Sequence, residues 1–222
     1  MRRVRFAAVI GAKPCQVESE VRELEAAGID LLHVEVMDGH FVPDLGVGPR
    51  FVAALRTTTE LPIEVHLRIE QPDRYARAFV EAGADIVTVH LEARHDVQKT
   101  IDLIRSMGCR CGLALNPITL LEKAFKYLPH IHFLLCLTAN PGSRQPLLPE
   151  TLRKVAQAKA HREAGNLAYE IAVEGGVTRE SLPSVVVHGT DRIILESRLL
   201  GEREEDPLRE LRAAAEEANM GG

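Results

Sequence analysis

Short apolar runs enriched in β-branched residues recur eight times along the chain, at residues 4–10, 31–37, 62–69, 86–91, 109–115, 132–137, 168–173 and 192–195. Each is followed by a longer stretch of helical periodicity. Such alternation specifies a parallel sheet covered by helices, because a parallel crossover must carry the chain back to the end it left, and a helix does so while covering the sheet. Eight units suffice to close that sheet into a (β/α)8 TIM barrel. An open doubly wound sheet more often stops at about five or six strands and carries Gly-x-Gly-x-x-Gly after the first. Here the first run leads into Gly11-Ala12-Lys13-Pro14. Glycine or proline marks several junctions, as at Ala26-Ala27-Gly28, Ala82-Gly83-Ala84, Met107-Gly108 and Asn116-Pro117, where a helix must stop or a strand must turn. With 222 residues, 45% of them hydrophobic, the chain can fill one sizeable core, and a single TIM-barrel domain over residues 1–222 is expected.

A net charge of -5 and a pI near 6.0 provide no global positive field for nucleic acid. No apolar run is long enough to span a membrane, and Met1-Arg2-Arg3-Val4 leads straight into a strand-like run without the pattern of a signal peptide. A cytoplasmic protein with no nucleic-acid or membrane partner is therefore expected. The cysteines, Cys15, Cys109, Cys111 and Cys136, lack the spacing of a zinc site and read as buried, reduced thiols.

Within the second run, strand periodicity puts His33 and Glu35 on one face and Val34 and Val36 on the other. His66 ends up in the same kind of position in the third unit, and Glu174 in the seventh. Taken singly, each is explained by a hydrogen-bonded core histidine or a carboxylate paired at the barrel rim. Taken together, two imidazoles and two carboxylates converging near the axis suit a divalent ion such as Zn, Mn, Fe or Co.

The segments His33-Val34-Glu35-Val36-Met37-Asp38-Gly39-His40-Phe41-Val42-Pro43, Val65-His66-Leu67, Leu113-Ala114-Leu115-Asn116-Pro117, Asn140-Pro141-Gly142 and Glu174-Gly175-Gly176 resemble, in order and spacing, the signature segments of the ribulose-phosphate 3-epimerases. The resemblance runs from about Val4 to about Gly201. It implies a metal-dependent isomerase acting on a sugar or sugar phosphate by proton transfer through an ene-diolate, and a homo-oligomer. By position, Glu35 and Glu174 would be the catalytic acid and base, and His33, Glu35, His66 and Glu174 the metal ligands. Asn140, Gly142, Ser143, Arg144, Gly175, Gly176 and Ser197 would bind substrate or phosphate, largely through backbone amides of the turns after strands six to eight.

The chain departs from the family's pattern at its reacting centre. Both catalytic positions, aspartate in the family, are glutamates here, and each carboxylate is displaced by one carbon–carbon bond, about 1.5 Å. Ala8 stands where the family has serine, and Arg68 and Leu137 where it has methionine. Arg68 reads as a rim cation paired with Glu64 or Glu70, or as a contact to an anionic substrate group. Glu196-Ser197 replaces a Gly-Ser pair, bringing a carboxylate to the phosphate end unless Arg144 or Arg198 neutralises it. These changes point to a shifted substrate. Two other readings stay open: a barrel that has lost epimerisation and binds a ligand or partner, and another ene-diolate reaction such as aldol cleavage or decarboxylation.

Overall fold

The computed structural model describes residues 3–11, 15–143, 145–197 and 207–221. Eight parallel strands follow one another around a closed barrel, β1 (Arg5–Val9), β2 (Leu31–Met37), β3 (Ile63–Arg68), β4 (Ile86–His90), β5 (Arg110–Leu115), β6 (Phe133–Leu137), β7 (Glu170–Glu174) and β8 (Arg192–Glu196), with β8 pairing back onto β1. The apolar runs match these strands to within two residues. The seventh extends one residue further than its run and takes Glu174 into the strand.

The covering helices are α1 (Val17–Ala26), α2 (Pro49–Arg56), α3 (Ala76–Glu81), α4 (Val97–Ser106), α5 (Leu152–Ala164), α6 (Leu182–Val187) and α7 (Pro207–Gly221). A helix was also expected between β5 and β6, but that connection contains only the 3-10 turns Leu121–Ala124 and Leu128–His130. Pro117 and Pro129 bound it, and each removes a backbone donor and biases the residue before it away from helical geometry. No helix among the described residues is long and apolar enough to cross a membrane. Cys109, Cys111 and Cys136 are buried free thiols, but Cys15 is exposed, in the turn that leads into α1.

Strand alternation divides the side chains into two populations. Outward residues such as Leu32, Val34, Val65 and Leu67 pack with helix residues including Val21, Val52, Leu55 and Ile101 to form the main core. A smaller apolar cluster inside the barrel contains Ala7, Leu31, Phe133, Leu135 and Ile194. Phe133 needs Gly112 on the neighbouring strand, where a Cβ would sit 2.3 Å from its ring.

The rest of the interior is charged. Arg192, fully buried over the Phe133 ring at 4.8 Å, donates to Glu64 Oε2 at 3.1 Å and to Glu170 Oε2 at 3.0 Å. Glu64 also accepts from Thr88 Oγ1 at 2.7 Å. Burial alone would raise the Glu64 carboxyl, but the His33 and Arg192 charges and the Thr88 hydroxyl outweigh it and bring it down from 4.5 to about 2. A group depressed on folding adds stability that is complete above its unfolded value and is lost as pH falls through its folded one. Glu64→Gln should therefore cost about 3 kcal/mol at neutral pH, the scale for breaking a buried pair. It should also flatten the fall in stability between pH 4.5 and 2. Urea unfolding across that range checks both, and an unchanged slope would show that Glu64 is not a buried carboxylate.

Candidate active site

A cavity of about 440 Å³ opens at the C-terminal ends of the strands. The inward faces of the strands present His33 and Glu35 from β2, His66 and Arg68 from β3, His90 from β4 and Glu174 from β7. Strand register sets Glu35 beside His66, Met37 beside Arg68, and Leu137 beside Glu174.

His33 and His66 are fully buried and meet edge to face, with ring centroids 5.3 Å apart. Both point at one oxygen, with His33 Nε2 at 3.5 Å and His66 Nδ1 at 3.2 Å from Glu174 Oε2. None of these three atoms has a hydrogen-bond partner. Behind His66, its Nε2 lies 2.9 Å from His90 Nε2, His90 Nδ1 lies 3.1 Å from Glu92 Oε2, and Glu92 Oε1 accepts the Asn116 N–H at 2.8 Å. Glu92 as acceptor puts the His90 proton on Nδ1, so His90 Nε2 accepts from His66 Nε2, and His66 Nδ1 carries a lone pair. Behind His33, Nδ1 stands 3.4 Å from Glu64 Oε2.

Burial is the main influence on His66 and lowers it to about 3 against the opposing influence of the Glu174 carboxylate, so its ring is neutral. Burial would lower His33 too, but the charges of Glu64 and then Glu174 raise it overall. The carboxyls of Glu35 and Glu174 are pushed apart. Burial raises Glu35 against the attraction of Arg68, whereas the upward effect of burial on Glu174 is overcome by Arg68, His33 and His66, which hold it well below the usual range.

A buried lone pair facing a carboxylate oxygen at 3.2 Å is repulsive unless a cation lies between them. The 3.2 and 3.5 Å separations match the edge, about 3.4 Å, of a tetrahedron with bonds of about 2.1 Å. The donors His33, His66 and Glu174 all lie within 4.8 Å of one another and suit a divalent ion such as zinc.

Of the four ligands expected, the structure gathers these three, and Glu35 faces Arg68 instead. Arg68 Nη2 lies 2.7 Å from Glu35 Oε1 and donates to Glu174 Oε1. The expectation of a rim cation paired with Glu64 or Glu70 is thus corrected. Arg68 shares the inner face of β3, Glu64 is already taken by Arg192 and Thr88, and Glu70 stands 3.8 Å from Arg94. Ala8 is corrected as well: it points outward into the main core, and Val9 lines the cavity in its stead.

At the far end, Asn140, Gly142, Ser143, Gly175 and Gly176 line the cavity. Gly176, at φ 63°, closes against the β6 loop so tightly that a Cβ would sit 2.3 Å from Leu147 N. Ser143 Oγ donates to Asn140 O at 2.6 Å and Asn140 Nδ2 to Gln145 Oε1 at 3.3 Å, so both side chains are engaged within their own loop. Ser197 is half-buried outside the cavity lining, and the exposed Glu196 forms the wall instead. Arg144 and Arg198 fall outside the described residues.

His90 and Glu92 were not anticipated. Their signal was Thr88 and His90, polar residues at alternate positions of an otherwise apolar run. His66→Ala, by deleting one of three donors, should lower zinc retained after dialysis by at least tenfold, and His90→Ala should weaken zinc binding by roughly 10-fold through loss of ring orientation. Metal analysis checks both, and unchanged occupancy in His66→Ala would make His66 a core histidine only.

Comparison with known proteins shows what the chain is similar to. Residues 6–200 match the Ribulose-phosphate 3 epimerase family. Among curated relatives, the ribulose-phosphate 3-epimerase of Bacillus subtilis is 38% identical over 196 residues, 87% of this chain and 90% of that protein. Ribulose-phosphate 3-epimerase 1 of Cupriavidus necator is 36% identical over 211 residues, 92% and 88% of the two chains. A 3-keto-L-gulonate-6-phosphate decarboxylase from Vibrio cholerae shares the fold, with a TM-score of 0.74 at 15% identity over 98% of this chain and 99% of that one.

Proposed function

Since the chain belongs to the ribulose-phosphate 3-epimerase family, we infer that it is a metal-dependent ketose-phosphate 3-epimerase that carries its acid and base on Glu35 and Glu174. The observation that supports this best is the pair of carboxyls at the cavity floor, which come from β2 and β7, share one guanidinium, and differ in their hold on a proton. Epimerisation beside a ketone removes a proton from one face and returns one to the other, so it requires a base and an acid together. Environments that push two carboxyls apart supply both at one pH.

His33, His66 and Glu174 would hold the divalent ion that the family uses. When bound there, it stabilises negative charge developing on the substrate's oxygens. Glu174, kept anionic by Arg68 and the two histidines, takes the proton, and Glu35, whose carboxyl is raised by burial, returns one. The backbone around Gly142, Gly175 and Gly176 holds the far end of the substrate, a sugar phosphate. The barrel wall screens the reacting carbon from bulk water, which strengthens each of these interactions.

Incubating the zinc-reconstituted protein with D-ribulose 5-phosphate in D2O and following the C3 proton by NMR detects proton abstraction directly. Exchange is expected, and Glu35→Gln and Glu174→Gln should each lower net epimerisation by at least about a hundredfold. A fully active single variant would overturn the acid and base assignment. Absence of exchange with metal bound, set against exchange with an unphosphorylated ketose, would move the substrate to that class and attribute the shift to Glu196.

A further inference from the structure

Arg68 lies at the cavity floor between the acid and the base of the proposed reaction. Its side chain is 6% exposed, it sits among ionisable groups, and its Nη2 reaches two carboxylates from two other strands. An arginine so placed is a fixed, permanently charged cation, because its guanidinium does not give up its proton in a protein.

Its contacts divide the site. On Glu174, Arg68 takes Oε1, and the histidines face Oε2. On Glu35 it takes Oε1, and Glu35 does not join the three donors that could share an ion. Three unpartnered buried atoms converge on the histidine side, His33 Nε2, His66 Nδ1 and Glu174 Oε2, whereas on the other side the unpartnered atom is Arg68 Nε, itself part of a cation. The barrel interior thus holds two cation positions side by side, one at the cavity floor filled by Arg68 and the other, beyond Glu174, lined by unpartnered donors.

We propose that Arg68 is a built-in cation that withdraws Glu35 from the metal-ligand set, so that a divalent ion is held by His33, His66 and Glu174 alone and with an affinity that Arg68 sets. The proposal rests on the metal-site reading above and deepens it. Two effects act in the same direction. The guanidinium competes for negative charge that would otherwise bind the ion, and its own charge opposes a second cation a few ångströms away. Arg68 is a positioning residue in this scheme: it keeps Glu35 beside the substrate cavity with its carboxyl free of the ion.

The test is zinc affinity of the metal-free full-length protein, measured by competition with a chromophoric chelator, together with circular dichroism. Arg68→Met should bind zinc at least tenfold more tightly than the wild type, because Glu35 is released to become a fourth donor. Glu35→Gln alone should change affinity less than about threefold, and combined with Arg68→Met it should cancel the gain, a non-additivity expected only of coupled sites. Arg68→Gln, which retains hydrogen-bonding capacity without the charge, is titrated in parallel so that the result does not depend on one variant folding. Zinc binding that is unchanged or weaker in both Arg68 variants, or lost tenfold in Glu35→Gln alone, overturns this proposal and leaves the three-donor site standing. Zinc binding by none of the proteins overturns the metal-site reading along with it.

Discussion

A carboxylate at the axis of a barrel must be compensated inside the barrel, and Glu64 imposes that constraint on everything around it. Fully buried and ionised, it is held by Arg192 from below, by Thr88 at its side and by His33 from above. Arg192 in turn needs Glu170, and His33 is placed to face Glu174, which needs Arg68, which holds Glu35. A column of mutually dependent polar side chains therefore runs from the barrel floor to the cavity. Pairs this deep contribute little net stability against apolar replacements, yet each becomes costly if one member is removed. The column fixes side chains in place, and the active-site histidine is one of its links.

Three departures from the family's pattern make physical sense as one change. Lengthening both carboxylate side chains by about 1.5 Å each would crowd negative charge at the cavity floor. A methionine at position 68 could not offset it, and an arginine with two carboxylates in reach does. Misplacing a reacting group by about 1 Å is expensive when nothing else moves, but here the groups are held by a shared partner. The glutamates and Arg68 form one remodelled floor, with Leu137 and Val9 completing its apolar side.

Most of the barrel was legible because a buried polar residue at every second position of an apolar run marks the inner face of a strand. That signal places His33, Glu35 and His66 inside, and Glu174, one residue past its run, continues the seventh strand. It does not identify partners. Arg68 has the right parity to be interior, but pairing it with Glu64 required ignoring the competition from Arg192, a residue 128 positions away from Glu64 in sequence. The one-residue discrepancy between Ala8 and Val9 has the same origin: in a strand, a shift by one residue exchanges the two faces. The β5–β6 connection was misread because apolar residues between two prolines imitate helical periodicity without the length or the donors to sustain a helix.

The arrangement behind the two histidines separates a catalytic centre from an incidental cluster. Each imidazole is backed by a carboxylate, Glu64 directly behind His33 and Glu92 through His90 behind His66. The hydrogen-bonded chain behind His66 fixes its ring orientation and tautomer and raises the basicity of the nitrogen that points forward. A histidine needed only for packing would satisfy both nitrogens locally, whereas His66 spends one nitrogen on His90 and leaves the other unpartnered against Glu174, which lines the cavity. A structural metal site would close with four protein donors. Here Arg68 contacts Glu35, the residue that would supply the fourth, so an ion held by the other three would keep a position for a substrate oxygen.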